Sequence, residues 1–123
     1  MSRRSLSLAG LLLGMGILHF LQPARFDPIV PARLGPPRSW TYASGAAELV
    51  SAAGLMIPGT RRLAGWATAA LFVAVFPANV KMAADAWPKR HDKPGYVTGT
   101  VVRLPMQVPL VSWAVSVARE GRR

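Results

Sequence analysis

Two charged residues lie inside long apolar stretches of this chain and could bind a ligand or transfer a proton. Glu48 lies eight residues after Trp40, and Arg103 lies six residues after Val97. At the rise of a helix, these positions are about 12 Å and about 9 Å from the starts of their stretches. A charge in hydrocarbon costs at least about 2.5 to 3.5 kcal/mol and is usually paired. The similar depths therefore predict an ion pair between Glu48 and Arg103.

Further polar side chains fall near the same depth and extend this pair into a polar layer. Residues three or four positions apart share one face of a helix. Two such stripes are present: Thr41, Ser44, Glu48 and Ser51, and Tyr96, Thr100, Arg103 and Gln107. His19 ends the first apolar stretch, and Asn79 and Lys81 end the third. We predict a ligand site of His19, Glu48, Asn79, Arg103 and Gln107, with Ser44, Ser51, Thr100 and Lys81 as supporting polar residues.

The chemistry of this layer has two interpretations. A carboxylate beside an imidazole can transfer protons, and arginine and imidazole can donate hydrogen bonds to a ligand carbonyl. The same groups can instead pair only with one another and fix the packing of the helices, with no ligand bound. Five or six polar side chains exceed what one ion pair needs for this, which favours a site for a small polar or amphipathic ligand.

The residue types exclude several other kinds of site. The chain has no cysteine, so disulfides, iron–sulfur ligation, thiolate zinc sites and a thiol relay within this chain are excluded. His19 and His91 are 72 residues apart, and no closely spaced pair of histidine ligands exists. No metal site is therefore predicted. No complete catalytic constellation is present, and enzymatic activity is left open.

Four apolar stretches must position these residues. They span residues 6–21, 40–57, 63–80 and 97–117. With its flanks, each is long enough to cross a bilayer as a helix. The chain has 123 residues, of which 51% are hydrophobic, and a mean hydropathy of +0.27. These properties predict an all-α integral membrane four-helix bundle of antiparallel transmembrane helices, in a single membrane domain that covers residues 1–123.

Local sequence signals predict how these helices connect and pack. Pro58-Gly59 ends the second stretch shortly before the third begins, which predicts a tight hairpin. Pro77 and Pro105 leave backbone carbonyls without their helical donors, and kinked helices of this kind often surround a cavity. Gly10 and Gly14 form a Gly-x-x-x-Gly pattern, which we interpret as close packing inside the bundle rather than dimerisation.

The charge balance indicates anionic lipid rather than nucleic acid. The chain carries 15 basic and 5 acidic residues, a net charge of +10. The basic residues lie between the apolar stretches and not along one face, so nucleic-acid binding is not expected and the lipid bilayer is the predicted partner. Basic residues divide evenly between the two sides of the membrane, with seven on each. Arg3 and Arg4 precede the first helix and favour a multi-pass cell-membrane protein with both termini in the cytoplasm.

Ordered motifs extend along almost the whole chain. They are His19-Phe20 followed by Pro23, Phe26 and Ile29-Val30-Pro31; Ser44-Gly45 with Glu48; Pro58 with Thr60-Arg61-Arg62; Phe76-Pro77-Ala78-Asn79; and Arg103-Leu104-Pro105 with Gln107. In these motifs the chain resembles the DoxX family of small four-helix membrane proteins, which is grouped with MauE-type proteins. The resemblance implies a four-helix bundle and a role for the same five residues of the predicted ligand site.

For some relatives, the resemblance also implies association with redox systems, in thiosulfate oxidation that feeds quinone and in the assembly of oxidoreductase complexes. The absence of cysteine is a departure that speaks against thiol oxidoreductase activity. The leading hypothesis is a quinone-binding or redox-partner subunit, in which Arg103 and His19 donate to a quinone carbonyl and Glu48 passes the proton. The alternative is a noncatalytic assembly factor that binds partner proteins through small-residue helix faces. A small proton-coupled exporter is less favoured, because Lys81, His19 and Arg103 disfavour a cationic cargo.

Overall fold

The computed structural model of the chain describes residues 2–30 and 32–120, and these residues are almost wholly helical. The helices are α1 (Arg3–Leu21), α2 (Pro37–Met56), α3 (Arg61–Ala74), α4 (Phe76–Ala86) and α5 (Pro94–Glu120). Short 3-10 turns occur at Pro23–Arg25, Asp27–Ile29, Ala32–Leu34 and Trp87–Lys89. No strand occurs within these two ranges, so the predicted all-α class is confirmed. Pro31, part of one motif quoted above, lies outside the described residues.

Among the described residues, three helical segments are long and apolar enough to cross a membrane. They are Arg3–Leu21, Arg61–Lys89 and Pro94–Glu120, with mean hydropathies of 1.5, 1.6 and 1.4. Within the described residues, α2 does not reach this hydropathy, because polar residues such as Thr41 and Glu48 lie along it. Both of these side chains are buried. The polar stripe of α2 is therefore turned toward the interior, as its spacing predicts.

The third predicted stretch is interrupted rather than straight. α3 ends at Ala74, α4 begins at Phe76, and Val75 between them has φ of −85° and ψ of −5°. Pro77 in the first turn of α4 has no N–H to donate and clashes with the preceding turn of a regular helix. By contrast, Pro105 and Pro109 lie within the continuous helix α5. In the last turn of α3, before the interruption, the carbonyl of Phe72 accepts the side-chain amide of Gln107.

The helices associate chiefly as two pairs. α1 packs on α2, α3 packs on α5, and α2 against α3 joins the pairs, whereas α1 and α5 touch at few points. A Cβ added to Gly16 would lie 2.8 Å from the side chain of Leu49, and one added to Gly65 would lie 2.7 Å from the Cα of Ala118. Because glycine has no Cβ, the two helices of each pair can approach closely at these positions.

The Gly-x-x-x-Gly pattern of α1 does not take part in this packing. Gly10 and Gly14 are exposed, and a Cβ added to either would have no neighbouring atom within 4 Å. The prediction that these two glycines pack inside the molecule is therefore wrong. The contact belongs to Gly16, because a shift of two residues turns a side chain about 200° around a helix.

The main cluster of buried apolar side chains lies in one half of the molecule, which we call the packed half. Leu8, Leu12, Leu55 and Val117 are fully buried there, at the end that holds the turn between α2 and α3. That turn is tied by the guanidinium of Arg61, whose Nε donates to the carbonyl of Leu55 at 2.8 Å. The opposite half, beneath the connection 22–36, contains a cavity, and we call it the cavity half.

Candidate functional site

The cavity has a volume of about 340 Å³ and lies between the two helix pairs. All five residues of the predicted ligand site line it: His19 from α1, Glu48 from α2, Asn79 from α4, and Arg103 and Gln107 from α5. Aromatic and sulfur-containing side chains form much of the remaining wall. They include Phe26, Trp40, Phe72, Met15 and Met106. A largely apolar cavity with a few convergent polar groups is typical of a small-molecule site.

His19 and Glu48 form the polar wall on the side of α1 and α2. Both residues are buried, with 7% and 8% of their surfaces exposed. His19 Nδ1 lies 2.7 Å from the carbonyl oxygen of Met15 and 3.4 Å from Oε2 of Glu48. Because a carbonyl only accepts hydrogen bonds, Nδ1 carries the hydrogen that it donates to Met15. The pair is brought together where α1 and α2 cross, since a Cβ on Gly45 would lie 2.8 Å from the Cβ of His19.

One oxygen of Glu48 has no hydrogen-bond donor. Oε2 is buried and unpartnered among the side-chain atoms of residues 2–30 and 32–120, because the Nδ1 hydrogen of His19 is directed at Met15. A buried acceptor without a donor is costly, and most such atoms in proteins have a partner. This oxygen can therefore accept a hydrogen bond from a ligand in the cavity or take up a proton.

Arg103 does not pair with Glu48, and the predicted ion pair is wrong. The Arg103 side chain is exposed and lines the opposite wall of the cavity, where its Nη1 donates to the sulfur of Met82 at 3.3 Å. Glu48 instead lies beside His19. The reason is the pairing of the helices: α2 packs on α1, whereas α5 packs on α3 and α4, and the cavity separates the two charges.

Gln107 and Asn79 have different surroundings on that wall. The amide nitrogen of Gln107 donates to the carbonyl of Phe72, which lies in the last turn of α3, where carbonyl groups lack helical donors. Gln107 is therefore a cap for α3 as well as a lining residue. Asn79 is half-buried in α4 and faces the cavity. The interruption at Val75 thus places one carbonyl and one amide beside the same space.

Only one of the predicted supporting residues lines the cavity. Ser44 does so, one turn from Glu48. Ser51 is buried elsewhere, and the hydroxyl of Thr100 donates to the carbonyl of Val97 at 2.7 Å. Lys81 is held away from the cavity, because its Nζ lies 2.6 Å from Oδ2 of Asp85 and 2.9 Å from the carbonyl oxygen of Pro28.

The connection 22–36 contributes residues that the sequence reasoning did not select. The ring of Phe26 stacks on that of His19 with a centroid distance of 3.7 Å. Asp27 accepts hydrogen bonds from Thr41 at 2.7 Å and from Arg38 at 2.9 Å. These bonds, that of Thr41 first, lower the pKa of Asp27 below its ordinary value.

Together with the bond from Lys81 to Pro28, these contacts tie the connection to both helix pairs. The connection therefore forms the roof of the cavity. Its only acidic residue, Asp27, stands among basic residues, which is the signal by which an ion pair could have been expected here.

The described residues contain no group of three or more histidine, cysteine or acidic side chains that could hold a metal ion. Residues 8–118 match the model of a protein family described as a domain of unknown function, DUF8561, and the chain belongs to this family. No curated protein and no solved structure matches the chain.

Proposed function

We propose that this DUF8561 member is a multi-pass protein of the cell membrane whose cavity binds the head group of a quinone, as a subunit that works with a redox partner. In this proposal the four helical units, with α3 and α4 as one, cross the membrane as an antiparallel four-helix bundle. α2 also crosses, because its polar stripe faces the cavity and not lipid. Both termini lie on the cytoplasmic side, as Arg3 and Arg4 favour.

The observation that carries the proposal is the pair of His19 and Glu48 in the wall of an apolar cavity, with an unpartnered carboxyl oxygen. A quinone head group is planar and largely apolar, and its two carbonyl oxygens accept hydrogen bonds. Glu48 can donate to one of them when its carboxyl group is protonated, whereas the Nδ1 hydrogen of His19 is directed at Met15. Phe26 and Phe72 supply aromatic surface for such a ring. The guanidinium of Arg103, on the opposite wall from Glu48, supplies a donor that is not committed to an acid in the described chain.

Each side chain then has a definite task. Reduction of a bound quinone to a quinol takes two electrons, which come from the redox partner, and two protons, which pass one after the other through Glu48. Glu48 holds a proton near the ligand, and His19 at 3.4 Å is the group with which it can exchange one. Arg103 orients a carbonyl oxygen of the ligand and favours negative charge there. Its positive charge in the same cavity also disfavours the export of a cation.

The proposal is tested by the quinone content of the purified protein. The chain is extracted into discs of native lipid, and bound quinone is measured by mass spectrometry. Glu48→Leu and Arg103→Leu each remove a hydrogen-bond donor and should each lower the retained quinone at least about tenfold. Glu120→Leu and Arg62→Leu are matched controls outside the cavity, and they should retain quinone like the unmodified chain.

Two outcomes would overturn the proposal. One is quinone retention by the folded Glu48→Leu and Arg103→Leu variants that equals that of the unmodified chain. The other is the absence of quinone from every sample together with a lower unfolding temperature of Glu48→Leu, which would identify a structural contact. That second result would favour the noncatalytic assembly factor, and the next measurement would be the proteins that co-purify with the chain.

A further inference from the structure

A groove that is separate from the cavity lies between the turn that follows α4 and the first turns of α5. Its volume is about 210 Å³. Trp87 and Arg90 form one end. The rest of the lining comes from α5 and consists of Pro94, Val97, Thr98, Val101 and Val102. None of these residues lines the cavity of the candidate site. The groove therefore has a basic and aromatic end and an apolar end.

Arg90 is fixed at the mouth of this groove. Its guanidinium carbon lies 5.0 Å from the centre of the Trp87 ring, and its Nη1 donates to the Trp87 carbonyl at 3.2 Å. No acidic side chain pairs with it in the described part of the chain, since the nearby Asp85 binds Lys81. The guanidinium has five N–H donors, of which one is used here. It is thus oriented and has donors left for an anion.

The apolar part of the groove continues along α5 away from Arg90. Val101 lies seven residues after Pro94 at the start of α5, about 10 Å along the helix axis. Val101 and Val102 are 39% and 47% exposed, whereas Val97 at the floor is buried. A ligand that fits both ends must carry an anion on one side and a hydrocarbon chain of at least this length on the other.

We propose that this groove binds an anionic phospholipid. The phosphate lies on Arg90 beside Trp87, and one acyl chain lies against Val97, Val101 and Val102. Charge supports this choice, because Lys89 and Lys93 lie within three residues of Arg90 in the sequence and Asp92 is the one acid among residues 87–93. Tryptophan and arginine at the membrane surface are the residue types that meet lipid head groups. The inference rests on the membrane location in the proposed function, but not on the quinone site.

The test measures which lipids stay bound. The protein is reconstituted with equal amounts of phosphatidylglycerol and phosphatidylcholine, re-extracted in mild detergent, and analysed for retained lipid by mass spectrometry. Phosphatidylglycerol should be enriched at least about fivefold, as expected for one basic residue at the membrane surface. Arg90→Gln should remove this enrichment. Val101→Trp, which fills the apolar end, should lower the retention of phosphatidylglycerol while Arg90 is intact.

Arg62→Gln is the matched control, because Arg62 is an exposed arginine that does not line the groove. It should enrich phosphatidylglycerol like the unmodified protein. Equal losses in Arg90→Gln and Arg62→Gln would overturn the proposal in favour of diffuse attraction by all basic residues. Full displacement of the lipid by inorganic phosphate, or no effect of Val101→Trp, would overturn it in favour of a site for phosphate alone.

Two further measurements separate this proposal from the proposed function. Quinone is measured in the same extracts, so the loss of one ligand without the other identifies which proposal fails. Extraction of the cell membranes at alkaline pH tests the shared premise, because a protein that is released by this treatment is not embedded. Release would overturn both proposals.

Discussion

The packed half and the cavity half are built from the same helices but differ in the side chains that face their interiors. In the packed half, Leu8, Leu12, Leu55 and Val117 fill the space, and Gly65 lets α3 approach the backbone of α5 directly. In the cavity half, the helix pairs separate, and His19, Glu48 and Arg103 face the space between them. We therefore expect the packed half to contribute most of the free energy of unfolding, whereas the cavity half contains polar groups without optimal partners.

The glycine contact of the packed half provides the largest expected effect. Gly65→Val should lower the free energy of unfolding by about 2–3 kcal/mol, because its Cβ would lie 2.7 Å from the Cα of Ala118, which is backbone and cannot move aside. Thermal unfolding in detergent measures this. Gly10→Val is the control, since nothing lies within 4 Å of its Cβ. Similar losses in the two variants would remove the distinction between the halves.

Gln107 tests whether the cavity half also depends on a structural hydrogen bond. Gln107→Leu leaves the carbonyl of Phe72 without its side-chain donor, and we expect a loss of about 1–2 kcal/mol in unfolding free energy. Gln107→Glu should not restore the stability, because a carboxylate cannot donate. If the leucine variant were as stable as the unmodified chain, Gln107 would belong to the ligand site alone.

Phe26 tests the roof of the cavity. Phe26→Ala removes the ring stacked on His19 at 3.7 Å, and we expect quinone retention to fall about fivefold, which corresponds to about 1 kcal/mol of lost aromatic contact. Phe20→Ala removes the other stack, with Tyr42 at 5.3 Å, which is outside the cavity. Equal effects of the two variants on retention would show that the roof is not part of the binding site.

The smallest expected effect is the contribution of Asp27 to stability, which depends on pH. Its pKa in the folded protein is below the ordinary value, first because of the bond from Thr41. Its stabilising contribution is therefore complete above about pH 4, the unfolded value, and is lost as the pH falls through the lower folded pKa. Unfolding temperatures across this acid range should show this loss in the unmodified chain. Thr41→Val should reduce it and Asp27→Asn abolish it; an unchanged profile in Asp27→Asn would contradict the assignment.

Much of the cavity half could be predicted from the sequence because helical spacing determines which residues share a face. Thr41, Ser44 and Glu48 lie on one stripe of α2, and depth along a helix placed His19 and Arg103 near the same level. The role of these residues in ligand binding, and the resemblance to the DoxX family, remain predictions. Family membership assigns no activity, since DUF8561 is defined only as a domain of unknown function.

The errors concern lateral neighbours rather than depth. Spacing does not encode which helices pack together. The matching depths therefore predict a pair of Arg103 and Glu48, although α5 packs on α3 and α4. Gly10 and Gly14 were chosen by pattern, but the crossing with α2 uses Gly16. Phe26 and Asp27 lie in an irregular connection, where no periodicity indicates which side chains point inward. These features are set by tertiary packing and could not be read from local sequence.

The pairing of Glu48 with His19 has a consequence for biogenesis. A chain is synthesised from its N-terminus. In the proposed membrane location, α1 and α2 would therefore insert before α5 has been synthesised. A lone carboxylate in lipid would oppose insertion by several kcal/mol. Because His19 is in the preceding helix, 3.4 Å from Glu48, the first hairpin already contains a group with which Glu48 can exchange a proton, whereas pairing with Arg103 would have to await the last helix.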